Sequence, residues 1–174
     1  MPDENLEAVF DDWLGRHGAV VLKVARAYTG TADDCQDLAQ EILLQVWRSA
    51  AAFQGRSSAS TWVYRVALNT ALGWRRKEGR RRARQRPLIE VKEPSAAGPD
   101  SAEQTCRRET VERLYTAIHR LPEADVALVL LYLDDLSYRQ MAEVLGISES
   151  NVGVKLNRVR KTLLALLEEE QHGP

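Results

Sequence analysis

Apolar residues recur every three or four positions along most of this chain, the spacing that places them on one face of an α-helix. No segment of useful length alternates as a β-strand does, and no internal repeat is present. The pattern predicts an all-α protein. Its helices are expected at Asn5–Tyr28, from Asp33 or Asp34 to about Ala51, from Trp62 into a run of arginines, at about Cys106–Arg120, from after Pro122 to about Leu133, and as a final pair within residues 134–166.

Several of these helices carry signals at their ends or interruptions within them. Gly15 and Gly18 predict a break or a kink in the first helix. Ser60 or Thr61 is expected to cap the third, because their side-chain oxygens can accept a hydrogen bond from a free backbone N–H.

The periodicity disappears between residues 87 and 105, where Pro87, Pro94 and Pro99 stand among serine, alanine and glycine. This composition is typical of a flexible linker. The sequence therefore predicts two small helical domains: a three-to-four-helix bundle over residues 1–86 and a second domain over residues 106–174.

The most informative stretch lies in the second domain, from residue 134 to residue 166. Ser137 and Gln140 have the spacing of a capping box that opens a short helix, and Gly146 supplies the left-handed residue that ends it. Ser148 can cap a second, longer helix. This arrangement predicts a helix-turn-helix. The alternative is an ordinary helical hairpin with a solvated basic face.

The second helix of this pair has two different faces. Its apolar stripe comprises Val152, Leu156, Val159, Leu163 and Leu166. No acidic residue occurs from 150 to 167, whereas four basic residues do. Since the stripe is needed for packing, only the opposite face could meet DNA bases. The candidates for contact with DNA are Ser148, Asn151, Val154, Lys155, Asn157, Arg158, Arg160 and Lys161.

The helix around Gln40 has more apolar positions than one buried face requires. Leu38, Ile42 and Val46 form an inner stripe. Nearly opposite are apolar residues bordered by polar ones, namely Asp37, Gln40, Glu41, Leu43, Leu44 and Trp47. One interpretation is a central helix buried on all sides. The other is a protein-binding face, because an aromatic side chain rimmed by polar groups is typical of an interface anchor.

A loop from Phe53 to Ser58 leads into the third helix, which carries aromatic and basic residues together. Aromatic side chains beside arginines suit unstacked bases and backbone phosphates. The alternative is that Trp62 and Tyr64 belong to the core and the arginine run is a solvated helix end. The candidates for contact with nucleic acid are Arg56, Ser58, Trp62, Arg65, Asn69, Arg75, Arg76 and Arg80.

Charge is distributed unevenly along a chain whose net charge is only −1. Residues 1–50 hold nine acidic and four basic side chains, a net of −5, whereas residues 75–86 hold eight basic and one acidic, a net of +7. This asymmetry of charge predicts different partners for different segments, and the +7 segment is expected to bind along nucleic-acid phosphates.

The 44% hydrophobic content of the chain is enough for a folded core.

Chemistry-bearing residues are sparse and scattered. Cys35 and Cys106 lie far apart without a CxxC motif, and the histidines at 17, 119 and 172 have no nucleophile or paired carboxylate near them in the sequence. We therefore predict no enzyme activity, no metal and no cofactor. With neither a signal-peptide pattern nor a membrane-spanning run, the protein is expected to be cytoplasmic, with no membrane insertion.

Three segments, in order, resemble the extracytoplasmic-function (ECF) subfamily of bacterial RNA polymerase sigma factors. They are DLAQEILLQVW from Asp37 to Trp47, FQGRSSASTWVYRVALNTALGWRRK from Phe53 to Lys77, and AIHRLPEADVALVLLYLDDLSYRQMAEVLGISESNVGVKLNRVRKTL from Ala117 to Leu164. The resemblance spans nearly the whole chain. It implies a promoter-specificity subunit with a region 2-like and a region 4-like domain, serving a stress or envelope-response regulon.

The resemblance also implies roles for the candidate residues. The helix face of Asp37, Gln40, Glu41, Leu44 and Trp47 is expected to bind core RNA polymerase at the clamp coiled-coil of its largest subunit. The loop and third helix are expected to capture and melt the minus-ten element, and the helix beginning at Ser148 to read the minus-thirty-five element. An anti-sigma factor is an expected partner beside the polymerase and promoter DNA.

One departure and one competing function stand beside this interpretation. Gly153 lies where the family often has a basic or small polar residue, so it is expected either to soften the helix or to permit close approach to DNA. A stand-alone transcriptional regulator would use only the helix-turn-helix. That function leaves the helix around Gln40 and the Phe53–Ser58 loop unexplained.

Overall fold

A computed structural model of the protein describes residues 2–84 and 102–171, and within these ranges it contains seven α-helices and no strand. The predicted all-α class and its two helical domains are confirmed. The helices are α1 (Pro2–Tyr28), α2 (Ala32–Ala50), α3 (Ala59–Arg84), α4 (Ala102–His119), α5 (Glu123–Leu133), α6 (Tyr138–Leu145) and α7 (Glu149–Gln171).

The N-terminal domain consists of α1, α2 and α3, which pack against one another in all three pairings. The predicted inner stripe of α2 is buried, with Leu38 and Ile42 at 0% exposure and Val46 at 3%. It meets buried residues of both neighbours, including Val24 of α1 and Ala67 of α3. This packing holds the inner face of α2 in the core of the domain, whereas the outer face is not part of this contact.

Two helix starts differ from the sequence prediction. Thr31 caps α2 by accepting a hydrogen bond from the Asp34 N–H at 3.1 Å. Asp33 and Asp34 therefore lie in the first turn of the helix rather than at its cap. Ser58, rather than Ser60 or Thr61, caps α3, because its Oγ accepts from the Thr61 N–H at 3.1 Å. In each case the cap precedes the predicted residue, as it must when the helix begins earlier.

Two longer segments also differ. The helix α1 is continuous across Gly15 and Gly18, so the predicted break is wrong. The helix α4 begins at Ala102, so residues 102–105 of the predicted linker are helical. The other residues of that linker, 87–101, lie outside the described part of the chain.

The C-terminal domain is built around α5, an eleven-residue helix that is buried from Val126 to Leu131. The helices α4, α6 and α7 all contact it. The stripe of α7 packs as predicted, with Val152, Leu156 and Val159 between 0% and 1% exposed. This commits one face of α7 to the core.

The predicted helix-turn-helix is confirmed in its local geometry. Ser137 and Gln140 form a complete capping box at the start of α6. Gly146 ends α6 in the left-handed conformation at φ 67°, ψ 31°. A side chain at position 146 would be strained there, so the turn that orients α7 depends on this glycine.

The two domains are in contact with each other. The helices α1 and α3 of the first domain meet α4, α5 and α6 of the second. Buried side chains of both domains belong to one continuous hydrophobic cluster.

Candidate nucleic-acid and protein interfaces

The outer face of α7 is the most clearly presented candidate surface. Asn151, Asn157 and Arg158 are exposed, and Val154 is 71% exposed. They lie opposite the buried stripe, which fixes the helix against the domain core. Two amides, a guanidinium and an apolar side chain on one fixed helix face form a set that can contact base edges in a major groove.

The other four residues predicted for this surface are used in different ways. The Ser148 Oγ accepts a hydrogen bond from the Asn151 N–H at 3.2 Å, so this hydroxyl caps α7. The Arg160 guanidinium lies 5.1 Å from the centre of the Tyr132 ring, in a cation–π contact within the domain. Lys155 is half-buried, whereas Lys161 is exposed at the side of the outer face.

In the structure the close neighbour of Gly153 is α6, and the expected close approach to DNA stays a prediction. A Cβ built on Gly153 would lie 3.4 Å from Cε2 of Tyr138, the first residue of α6. The Tyr138 ring therefore lies against the α7 backbone at Gly153.

Replacing Gly153 with alanine should raise the free energy of unfolding by about 0.5–1 kcal/mol. Alanine is favoured over glycine by roughly that amount inside a helix. The 3.4 Å approach is ordinary van der Waals contact, and the Tyr138 side chain, 47% exposed, can shift. Urea unfolding monitored by circular dichroism measures the change, and Ala165→Gly, at an exposed site of the same helix, should lower stability by a similar amount. A lower midpoint for Gly153→Ala would show that the Tyr138 contact outweighs helix propensity.

A second candidate surface is a stripe along α3. Five predicted residues fall within about 60° of one another at 100° per residue. Asn69, Arg76 and Arg80 are exposed, while Trp62 and Arg65 are half-buried. The Arg80 Nε donates to the Arg76 carbonyl at 3.2 Å, which holds this side chain along the helix. The stripe thus places cations along one line, as phosphate contacts require.

Aromatic residues at the start of α3 are divided between core and surface. Phe53 packs edge-on against Trp13, with ring centroids 4.9 Å apart, and against Trp62 at 5.5 Å. The Nε1 of Trp62 is buried without a hydrogen-bond partner. Tyr64 is only 1% exposed, so the core interpretation is the right one for this residue.

The predicted loop residue Arg56, which precedes α3, is exposed.

An open groove between α2 and α3 adjoins the α3 stripe. Asn69, Trp74 and Lys77 line its α3 side, and Glu41 and Gln45 line its α2 side. The Gln45 amide donates to the Glu41 carboxylate at 2.9 Å. The groove combines an indole, an amide and a cation, a set that can hold a planar base and its phosphate.

The outer face of α2 is exposed in its centre and covered at one end. Asp37 and Gln40 are exposed, and Leu44 is 41% exposed. Trp47 is half-buried because it packs edge-on against Phe10 of α1, with ring centroids 5.0 Å apart. The helix is therefore not buried on all sides, and its exposed apolar residue is Leu44 rather than Trp47.

Two predicted arginines are engaged by the C-terminal domain. The Arg65 guanidinium donates to the Glu143 carbonyl at 2.5 Å, and the Arg75 Nε lies 3.2 Å from the Glu123 carboxylate. Sequence reasoning missed the residues that join the domains at this contact, above all Asp134. The signal available was an acid directly after the apolar run of α5, but nothing in the sequence indicated its distant partners.

The remaining candidates for chemistry stay scattered in space. Burial, and then the neighbouring Arg16, lower the pKa of His17, and the Nε2 of His119 lies 2.8 Å from the Arg26 carbonyl oxygen. Cys35 and Cys106 are free thiols. Among the described residues no three His, Cys, Asp or Glu side chains are grouped to hold a metal ion. None of the described helices has the length and apolar character needed to cross a membrane.

Comparisons with known proteins place both domains in one family. Residues 13–81 match the family model of Sigma-70 region 2, and residues 111–163 match that of Sigma-70, region 4. The ECF RNA polymerase sigma-E factor of Haemophilus influenzae is 32% identical over 138 residues, covering 75% of this chain and 73% of the relative. The ECF sigma factor RpoE of Cereibacter sphaeroides is 31% identical over 166 residues, covering 91% and 88%.

Two solved structures share the fold. The sigma factor RpoE of Bartonella quintana, in complex with the anti-sigma factor NepR, has a TM-score of 0.69 at 19% identity, covering 91% of this chain and 96% of that one. CnrH in complex with the cytosolic domain of CnrY has a TM-score of 0.64 at 21% identity, covering 93% and 89%.

Proposed function

Because the chain belongs to the ECF family of RNA polymerase sigma factors, it binds core RNA polymerase and directs promoter-specific transcription initiation, and we propose which of its surfaces performs each step. The observation that best supports promoter recognition is the exposure of polar residues on the outer face of α7. Its polar residues are exposed while Val152, Leu156 and Val159 are fixed in the core. A helix held in this way can enter a major groove without rearrangement.

We assign minus-thirty-five recognition to that face. Asn151, Val154, Asn157 and Arg158 are the base-reading candidates, and Lys161 is a phosphate contact. The Ser148 side chain contributes by capping the start of α7. The free backbone N–H groups at that helix start can bind a phosphate. Lys155 and Arg160 contribute positive charge at the edge of the face. Arg to guanine and Asn to adenine are the pairings that this set favours.

We assign minus-ten capture to α3 and the loop before it. The exposed Asn69, Arg76 and Arg80 line up with Trp62 and Arg65, and the groove beside them offers Trp74 as a stacking surface. Arg56 extends the positive surface into the loop. Ser58 supports this site by capping α3, and Arg75 lies on its flank.

We assign core-polymerase binding to the outer face of α2. Leu44 forms its apolar centre, and Asp37, Gln40 and Glu41 form a polar rim. Trp47 supports this face through its contact with Phe10. An apolar centre with a polar rim is the arrangement found in specific protein interfaces.

The remaining assignments follow from this role. Promoter recognition requires binding and strand separation, so we assign no catalytic residue and no cofactor. The protein is expected to act in the cytoplasm, where the polymerase transcribes, within a stress or envelope-response regulon. One of the two solved structures contains a sigma factor bound to an anti-sigma factor, and the other contains CnrH bound to the cytosolic domain of CnrY. We propose such a partner for this chain too.

Arg158→Ala should relax recognition of the upstream element and cost about 1–3 kcal/mol at the preferred sequence, because it removes a bidentate base contact. Core polymerase with the wild-type or the mutant chain is given templates with a randomised upstream element, and the transcripts are sequenced. Lys161→Ala serves as the matched control and should weaken all templates alike.

Two outcomes of this assay would contradict the assignment. An unchanged motif for both Arg158→Ala and Asn157→Ala would mean that α7 does not read the element. Tight, sequence-specific binding by the free chain, with no transcription in the presence of core polymerase, would instead identify a stand-alone regulator.

A further inference from the structure

The middle of the outer face of α7 is occupied by an apolar side chain, that of Val154. At about 100° per residue, Val154 lies roughly opposite the buried stripe of the same helix. Asn151 and Arg158 lie within about 60° of it on one side, and Asn157 lies about 60° away on the other. A polar face that points away from the core therefore has a valine at its centre.

The exposure of this valine has no counterpart in the packing of the domain. Val154 is 71% exposed, more than any other large hydrophobic side chain in the described part of the chain. A β-branched residue is also a weaker helix former than alanine, so the valine does not stabilise α7 by its propensity. Single apolar residues are common on protein surfaces, and it is the central place of Val154 that indicates a function.

The surroundings of Val154 favour DNA over a protein as the molecule that covers it. No acidic residue occurs from 150 to 167, and Arg158 and Lys161 are exposed beside it. Cations suit phosphates, whereas the buried centre of a protein interface is depleted of charge. The face also continues the surface to which we assign the minus-thirty-five element. Its occupant is therefore expected to be the major groove of that element.

The chemistry of the major groove restricts what a valine can recognise there. Its two methyl groups neither donate nor accept a hydrogen bond. Base edges present donors and acceptors in this groove, together with one apolar group, the 5-methyl of thymine. Packing methyl on methyl removes apolar surface from water, whereas a valine against a polar base edge would desolvate that edge without a partner. Because a helical valine strongly prefers one rotamer, little side-chain freedom is lost in the contact.

We propose that Val154 selects one T·A base pair of the minus-thirty-five element by packing against the 5-methyl group of its thymine. The selected pair lies among the pairs that Asn151, Asn157 and Arg158 contact. This inference deepens the proposed function and rests on it, because it requires α7 to lie in the major groove.

The first test uses holoenzyme and templates with a randomised upstream element. The motif recovered with the wild-type chain should contain a thymine at one position where Val154→Ala loses the preference. The rest of the motif should stay the same, since the polar contacts are still present. A wild-type motif without thymine, or one that Val154→Ala leaves unchanged, would contradict the inference.

The second test removes the methyl group from the DNA alone. Each thymine of the recovered element is replaced in turn by deoxyuridine, which keeps every hydrogen-bonding group, and the Kd of the holoenzyme for each promoter is measured. At one position the wild type should bind the deoxyuridine promoter about three- to fivefold more weakly, the effect expected for one buried methyl group. Holoenzyme with Val154→Ala should bind the two promoters equally.

The matched control chain is Leu164→Ala, which trims another exposed apolar residue of α7, 57% exposed and about 15 Å farther along the helix. It should keep the wild-type ratio of the two Kd values. The matched control DNA carries deoxyuridine outside both promoter elements and should bind like the unmodified promoter. Circular dichroism checks that each variant is folded, and Val154→Ala should be, because alanine favours the helix.

A methyl effect at one thymine that disappears in Val154→Ala supports the inference. It is overturned if no thymine shows the effect, or if the effect is the same in both chains. Equal weakening of the thymine and deoxyuridine promoters by Val154→Ala would also overturn it, because Val154 would then contact polymerase or DNA without selecting thymine. The response of the motif to Arg158→Ala is measured separately. If that response is present while the methyl effect is missing, only the inference about Val154 has failed and the proposed function stands.

Discussion

Leu44→Glu should prevent holoenzyme assembly while the N-terminal domain stays folded. Leu44 is 41% exposed at the centre of the outer face of α2, so a glutamate there can extend its carboxylate into water in the free chain. In the complex that carboxylate would be buried against the polymerase without a partner, which is costly. We expect a loss of at least about 3 kcal/mol, or more than roughly a hundredfold in Kd. Fluorescence anisotropy of the labelled chain with core polymerase measures it.

The matched control is Leu22→Glu, the same change at an apolar residue of α1 that is 61% exposed and has no assigned contact. It should bind core polymerase like the wild type. Trp47→Ala is a poorer probe, because Trp47 also packs on Phe10 and its loss would disturb the α1–α2 contact. If Leu44→Glu keeps its helicity by circular dichroism and still binds core polymerase normally, the outer face of α2 is not the docking surface.

Local and periodic features were predictable from the sequence because they depend on neighbours three or four residues apart. The inner stripe of α2 and the stripe of α7 followed from helical spacing alone. The turn at Gly146 and the capping box at Ser137 depend on the backbone preferences of single residues. The predicted starts of α2, α3 and α4 were wrong by a few residues, because helix boundaries are the least precise part of a prediction from sequence.

The contact between the domains could not be predicted in this way. Lys23 and Asp134 are 111 positions apart, and Tyr64 and Asp134 are 70 apart. No helical or strand period relates such residues. Tyr64 illustrates the consequence, because its place in an aromatic and basic segment was compatible with base stacking. Its burial and its bond to Asp134 depend on a domain that the local pattern does not contain.

The candidate interfaces were predictable as surfaces but not residue by residue. The exposed face of α7 has the expected composition, since amphipathicity decides which side turns outward. Ser148 and Arg160 show the limit, because their side chains serve a cap and the Tyr132 ring. The position of a residue around a helix does not reveal these contacts, because they depend on atoms one turn away or on another helix.

Arg76→Ala/Arg80→Ala should weaken promoter complexes of the holoenzyme by roughly fifty- to a hundredfold, with no change in which promoters are preferred. Both arginines are exposed on the α3 stripe and lie outside the contact with the C-terminal domain. Each phosphate contact releases a counterion, so the logarithm of the binding constant falls with the logarithm of salt concentration by about 0.9 per contact. Two lost contacts should flatten that slope by about two.

The measurement is complex formation on several promoters between about 50 and 200 mM salt, the range over which counterion release is conveniently resolved. The control is Arg16→Ala/Arg107→Ala, which removes two exposed arginines of α1 and α4. It should leave the slope unchanged, because neither position belongs to a surface that we assign to DNA. If the stripe variant instead altered promoter preference at an unchanged slope, Arg76 and Arg80 would be reading bases, and the phosphate track would have to lie elsewhere on the domain. Since the loss is electrostatic, raising the salt concentration should bring the wild type towards the variant, and this convergence separates lost phosphate contacts from a misfolded helix.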